Sequence, residues 1–133
     1  MKAHKFWTAL FLSYSLLIFY LSSIPLENAP MISQASGRVP YFDKIGHISE
    51  YFIYGLIAFR ALRPRTKRAL FLSILFLLSY ALSDEVHQYF VPFRDPDISD
   101  FLADSIGLGL AGFLSLERFA SRKQPQMKAP SSA

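Results

Sequence analysis

Residues 83–104 read Ser83-Asp84-Glu85-Val86-His87-Gln88-Tyr89-Phe90-Val91-Pro92-Phe93-Arg94-Asp95-Pro96-Asp97-Ile98-Ser99-Asp100-Phe101-Leu102-Ala103-Asp104. The stretch lies between two hydrophobic runs, 69–82 and 98–116, yet carries six carboxylates, one arginine, one histidine and one glutamine. Counting its helix ends, each run approaches the roughly 20 residues a helix needs to cross a bilayer core. Ionisable groups at the mouth of a bilayer are costly unless they pair, bind a cation or face a polar ligand. Their density here marks the candidate site, and the apolar flanks decide the fold.

Outward from that stretch, hydrophobic residues make up 52% of the 133-residue chain and come in blocks. Four blocks stand out: residues 6–24, 45–62, 69–90 and 98–119. The second and third reach spanning length once their polar ends lie at the membrane interface. The pattern predicts an all-α fold, a four-helix transmembrane bundle with short connections. One domain, residues 1–119, fits the length. Residues 120–133 read as a basic, disordered cytoplasmic tail. There is no cysteine, which excludes disulfides and thiolate chemistry.

Charge placement sets the expected orientation. With the amino terminus in the cytoplasm and every block crossing, 11 of the 14 basic residues fall inside and nine of the ten acidic residues outside. Short loops rich in Lys and Arg stay cytoplasmic, so both termini are expected in the cytoplasm of a multi-pass plasma-membrane protein. The net charge of +4 is then a topology signal and calls for no nucleic-acid partner.

In chain order, the first block carries Trp7 and Tyr20 as interfacial anchors and is assigned a packing role. A cleaved signal peptide ending near Ser22-Ser23 is the competing reading, but its removal would leave an odd number of spans. Residues 25–42 hold Pro25, Pro30, Gly37 and Pro40 and read as a connecting loop, with a surface lid as the alternative. In the second helix Asp43, His47, Glu50 and Tyr54 share one face, with Lys44 and Tyr51 beside it. Asp43 alone is explained equally well by capping. Arg63-Pro64-Arg65-Thr66-Lys67-Arg68 forms the inner turn.

On the third helix Glu85 and Gln88 share a face, while Asp84 and His87 project about a third of a turn away. Pro92 ends that helix and Arg94 follows in the turn. Asp97, Asp100, Asp104 and Gly107 form one stripe of the fourth helix. Asp97 fits a cap, but Asp104, two turns in, does not. Ala103, Gly107 and Ala111, with Gly112 beside them, suit close helix packing. Asp43, His47, Glu50, Glu85, Gln88, Arg94, Asp97, Asp100 and Asp104 are thereby expected in one shallow, outward-facing pocket. Lys44, His47 and Arg94 offset some of its negative charge, and protonation or a divalent cation supplies the rest.

Three blocks, Asp43-Lys44-x-x-His47-x-x-x-Tyr51, Ser83-x-Glu85-x-x-Gln88-x-x-x-Pro92-x-Arg94 and Asp97-x-x-Asp100-x-x-x-Asp104-x-x-Gly107, resemble the VanZ-like family over about residues 40–112. These are small membrane proteins named for a member associated with teicoplanin resistance. Asp104 departs from the pattern, since many members have asparagine there. The resemblance implies a cell-envelope membrane protein with a role in glycopeptide resistance, and a proposed relationship to lipid-head-group enzymes.

A pocket at the head-group level suits a phosphate- or sugar-linked lipid, including lipid-linked envelope precursors. If it is catalytic, as a hydrolase or transferase, His47 or Glu85 is the base or nucleophile. Asp100, with Asp97 and Asp104, orients the histidine or holds a cation. Lys44, Tyr51, Gln88 and Arg94 are the expected substrate binders, Arg94 by its bidentate fork, with Asp43 and Glu50 in support. The rival is a non-catalytic protein that binds an envelope precursor or an antibiotic. A transporter component fits less well, because the inner halves offer little beyond Ser73, Ser79 and Ser115. No P-loop, His-Glu-x-x-His or Gly-x-Ser-x-Gly pattern occurs. The oligomeric state leaves no mark in the sequence.

Overall fold

The computed structural model describes residues 2–25, 42–94 and 96–123. They form four helices: α1 (Lys2–Ser22), α2 (Phe42–Leu62), α3 (Lys67–Gln88) and α4 (Ile98–Lys123). No strand occurs among the described residues, so the expected all-α, four-helix architecture is the one observed. The loop or lid expected after Pro25 falls mostly on residues 26–41, outside the described residues, as does the tail from residue 124.

α1, α3 and α4 are long and apolar enough to cross a membrane. α2 is as long as α1, at 21 residues, but His47, Glu50 and Arg60 lower its mean hydropathy. Its position explains the difference. α2 packs against all three other helices, most extensively against α4, and buries Tyr51, Tyr54, Gly55 and Ala58. A helix enclosed by others has less need of an apolar surface. On the outer helices Leu16, Phe71, Phe76 and Phe113 are each more than half exposed, as suits side chains that face hydrocarbon.

Lipid is as apolar as a protein core, so close backbone approach has to hold such helices together. The α2–α4 seam achieves it with small residues. A Cβ added at Gly107 would strike the Ile48 carbonyl oxygen and lie 2.8 Å from the Phe52 nitrogen. One added at Gly55 would lie 2.7 Å from the Ala111 Cβ. The row Ala103, Gly107 and Ala111 is therefore where α4 meets α2. Gly112 turns toward Ile74 of α3, 3.1 Å from where its own Cβ would stand.

α1 is fixed by aromatic and polar contacts. Tyr54 of α2 stacks on Phe11 at 5.4 Å between ring centroids and sets its Oη 3.0 Å from Ser15 Oγ. Tyr80 of α3 donates to the Ser15 carbonyl oxygen at 2.6 Å. In a low-dielectric interior such bonds specify helix rotation.

The bundle has two distinct ends. At the basic end α2 stops before Pro64, with Arg63 at φ 50°. Thr66 caps α3, its hydroxyl accepting from the Ala69 N–H at 3.1 Å. Arg60 lies 4.7 Å above the Trp7 ring, which brings the start of α1 to this end. The starts of α2 and α4 and the close of α3 meet at the opposite, acidic end.

Candidate functional site

At the acidic end Asp97 stands just outside α4 and caps it. Its Oδ1 accepts from the Ser99 N–H at 2.9 Å and its Oδ2 from the Ser99 hydroxyl at 2.5 Å. The same carboxylate meets Lys44 Nζ of α2 at 2.9 Å. The Ser99 hydroxyl, followed by the Lys44 ammonium, holds the Asp97 carboxyl well below the usual carboxylate range. Lys44 also reaches Asp43 at 3.2 Å and Asp100 at 2.5 Å. One ammonium thus gathers three carboxylates.

One turn deeper the arrangement changes. His47 Nδ1 lies 2.9 Å from Asp104 Oδ1, and its Nε2 lies 3.8 Å from Asp100 Oδ1. Asp104 is fully buried at 0% exposure, and Glu85 enters from α3 with only 6% exposed. Both Glu85 carboxylate oxygens and Asp104 Oδ2 are buried without a hydrogen-bond partner among the described residues. His47, Glu85 and Asp104 each offer a ligand atom, and the three atoms lie within 4.8 Å of one another. Beside Glu85 a groove of about 320 Å³ opens between α3 and α4, walled by Leu82, Val86, Phe90, Ile98 and Phe101.

The VanZ/LLP1 family model matches residues 3–119. The chain belongs to the VanZ/LLP1 family. No curated protein and no solved structure matches it. With three helices able to cross a bilayer, this is a VanZ-like membrane protein.

The family match reaches past residues 40–112 to take in α1, and the contacts give α1 a part in the site. Arg94 Nε donates to the Ile24 carbonyl oxygen at 3.1 Å and Nη2 to that of Leu21 at 2.9 Å. Arg94 thereby satisfies carbonyls at the carboxyl end of α1, where a cation also complements the helix dipole. Ser23 Oγ pairs with His87 Nε2 at 2.9 Å, and Phe19 stacks on the His87 ring at 4.4 Å. The end of α1 is one wall of the acidic end, more than the packing helix its sequence suggested.

Lys44, His47, Glu85, Asp97, Asp100 and Asp104 come together, with Asp43 joined through Lys44. Glu50 sits partly buried one turn beyond His47 on α2. Tyr51 is fully buried, its hydroxyl without a partner among the described residues. Gln88 is also buried and donates to Asp84 Oδ2 at 3.4 Å. The stripe Asp97, Asp100 and Asp104 is divided in use: Lys44 takes the first two, His47 the third. Asp95 lies outside the described residues.

Asp84, buried and absent from the expected site residues, is the group that sequence reasoning missed. Its spacing to Gln88, i to i+4, was the available signal. The pairing of Glu85 with Gln88 at i, i+3 drew attention to the neighbouring face instead. Chemically, Asp104 holds one nitrogen of His47 and leaves Nε2 facing Asp100. Such a pair can move a proton to or from a bound hydroxyl.

Proposed function

We propose that this VanZ-like protein binds the head group of a phosphate- or sugar-linked envelope lipid at its acidic end, with the lipid chain along the groove beside Glu85. The groove carries the reading. Its walls are apolar, while Glu85 and Asp97 also line it, so it suits a ligand that is hydrocarbon along one part and polar at the other. The carboxylates of Glu85, Asp97 and Asp100 accept from sugar hydroxyls, and Lys44 holds Asp97 and Asp100 in place as acceptors. Catalysis, as head-group hydrolysis or transfer, would use His47, flanked by Asp104 and Asp100, to hold or donate a proton.

The acidic end lies, on this reading, at the extracytoplasmic face of the plasma membrane, with both termini in the cytoplasm. The exposed Arg60, Arg63, Arg65, Lys67 and Arg68 at the other end support that orientation. The cysteine-free chain makes a direct check simple. A single cysteine at Ile98 should react with a membrane-impermeant maleimide on intact cells, and one at Arg65 should not. The opposite pattern defeats the orientation.

For the ligand, purified protein is reconstituted with an envelope lipid extract and both bound and free lipids are read by mass spectrometry. A phosphate- or sugar-linked species should be retained by wild type and lost in Glu85→Gln and Lys44→Ala. If His47→Ala keeps the lipid but abolishes an altered species, the protein is an enzyme. Retention with no altered species makes it a binder, whose capture of a wall precursor would lower glycopeptide susceptibility. If no such lipid is enriched by wild type, the reading fails.

A further inference from the structure

We propose that His47, Glu85 and Asp104 form a binding site for one divalent transition-series cation, Mn²⁺ or Zn²⁺. The inference goes beyond the lipid reading and stands without it, since the ion is held by the chain's own side chains.

Three observations lead there. The first is proximity: one ligand atom from each residue lies within 4.8 Å of the others. Ligands about 2.1 Å from a common ion stand about 3 Å apart when adjacent and about 4.2 Å when opposite. The His47 Nδ1 to Asp104 Oδ1 separation of 2.9 Å already equals the edge of such a polyhedron. Glu85, within 4.8 Å of the other ligand atoms, reaches an adjacent position by closing at most about 1.8 Å, a side-chain rotation. An ion there takes the place of the proton these two atoms share.

The second is the state of the oxygens. Both Glu85 oxygens and Asp104 Oδ2 are buried and have no hydrogen-bond partner among the described residues. Two carboxylates so enclosed, with one imidazole between them, leave net negative charge in a poorly solvated place. The third is that the neighbouring cations among the described residues are committed elsewhere. Lys44 is held by Asp43, Asp97 and Asp100, and Arg94 is turned to α1. Among the described residues no further cation reaches these oxygens, and three converging ligands favour a metal ion over a proton as the compensating charge.

Ligand chemistry narrows the choice. Mg²⁺ and Ca²⁺ take oxygen ligands almost exclusively, whereas one imidazole with two carboxylates suits Mn²⁺ or Zn²⁺. Three protein ligands leave coordination positions open to water or to a phosphate or hydroxyl oxygen.

The test uses the full chain in detergent, stripped with a chelator and then offered each metal alone. Wild type should bind one equivalent of Mn²⁺ or Zn²⁺ by elemental analysis, with a raised melting temperature. Glu85→Gln and Asp104→Asn should each weaken binding by more than about a hundredfold, beyond what loss of a residue that only supports a ligand costs. Glu117→Gln, toward the opposite end of α4, should bind as wild type does. Asp97→Asn should also keep the metal, and its loss there would overturn this ligand set in favour of the aspartate stripe. Should a ligand variant fail to fold, pulsed electron paramagnetic resonance of Mn²⁺ on wild type decides the matter. Nitrogen modulation is expected from His47, and its absence overturns the proposal. Failure to bind either metal at millimolar concentration overturns it too, leaving protonation as the compensation. Metal content is read without lipid, so this result and the lipid-retention result stand or fall separately.

Discussion

At the basic end Arg60, Arg63, Arg65, Lys67 and Arg68 are all exposed, whereas at the acidic end Asp84, Glu85, Asp100 and Asp104 are all buried. The basic charges keep water or lipid phosphates around them, so they cost the fold little and need no fixed partners. The buried carboxylates have lost that solvation and depend on Lys44, His47 or a further cation. Charge density alone does not distinguish an orientation signal from a site. Burial does, together with whether each polar atom finds a partner.

The strongest way to break this contrast is at the seam that brings α4 to α2. Gly107→Leu forces its side chain into the backbone at Ile48 and Phe52. It should cost about 3 kcal/mol or more by denaturant titration in micelles, and it should separate His47 from Asp104. Wild-type stability in that variant would mean the backbones are not in close contact.

A smaller effect sharpens the contrast. In metal-stripped protein Glu85→Gln should raise stability by about 1 kcal/mol, because it removes a buried carboxylate that has no hydrogen-bond partner among the described residues. Arg65→Gln at the basic end should stay within about 0.5 kcal/mol of wild type. A stability loss in Glu85→Gln would show that the carboxylate is satisfied without metal. Thr66→Ala removes the α3 cap and should cost about 1 kcal/mol in the same titration.

The smallest effect concerns Asp97, whose carboxyl is held below its usual range in the folded protein. A depressed value adds stability that is complete above about pH 5 and lost as pH falls through the folded value. Melting curves of Asp97→Asn and wild type should therefore differ at neutral pH and converge in acid. Divergence toward acid would contradict the Lys44 and Ser99 contacts.

Much of this arrangement was legible beforehand, and the gaps have a common origin. The stripe Asp43, His47 and Glu50 could be read because helical spacing alone decides which side chains share a face. The small-residue row with Gly107 was legible because only small side chains let backbones approach. Arg94 was expected to grip phosphate, and its bond to Ile24 was not legible because the two residues are 70 positions apart. Asp84 was overlooked because its burial depends on which way α3 is rotated against α1 and α2.

From the chain alone follow the four helices, the faces that carry charge and the end at which those faces gather. Apolar length and helical period are local properties, and a membrane leaves few other ways to satisfy the backbone. Tertiary structure alone decided that Asp104 takes His47, that Lys44 gathers Asp43, Asp97 and Asp100, and that α1 supplies a wall. Those outcomes turn on ångström-scale approach and rotation between helices distant in sequence, which no single helix encodes by itself.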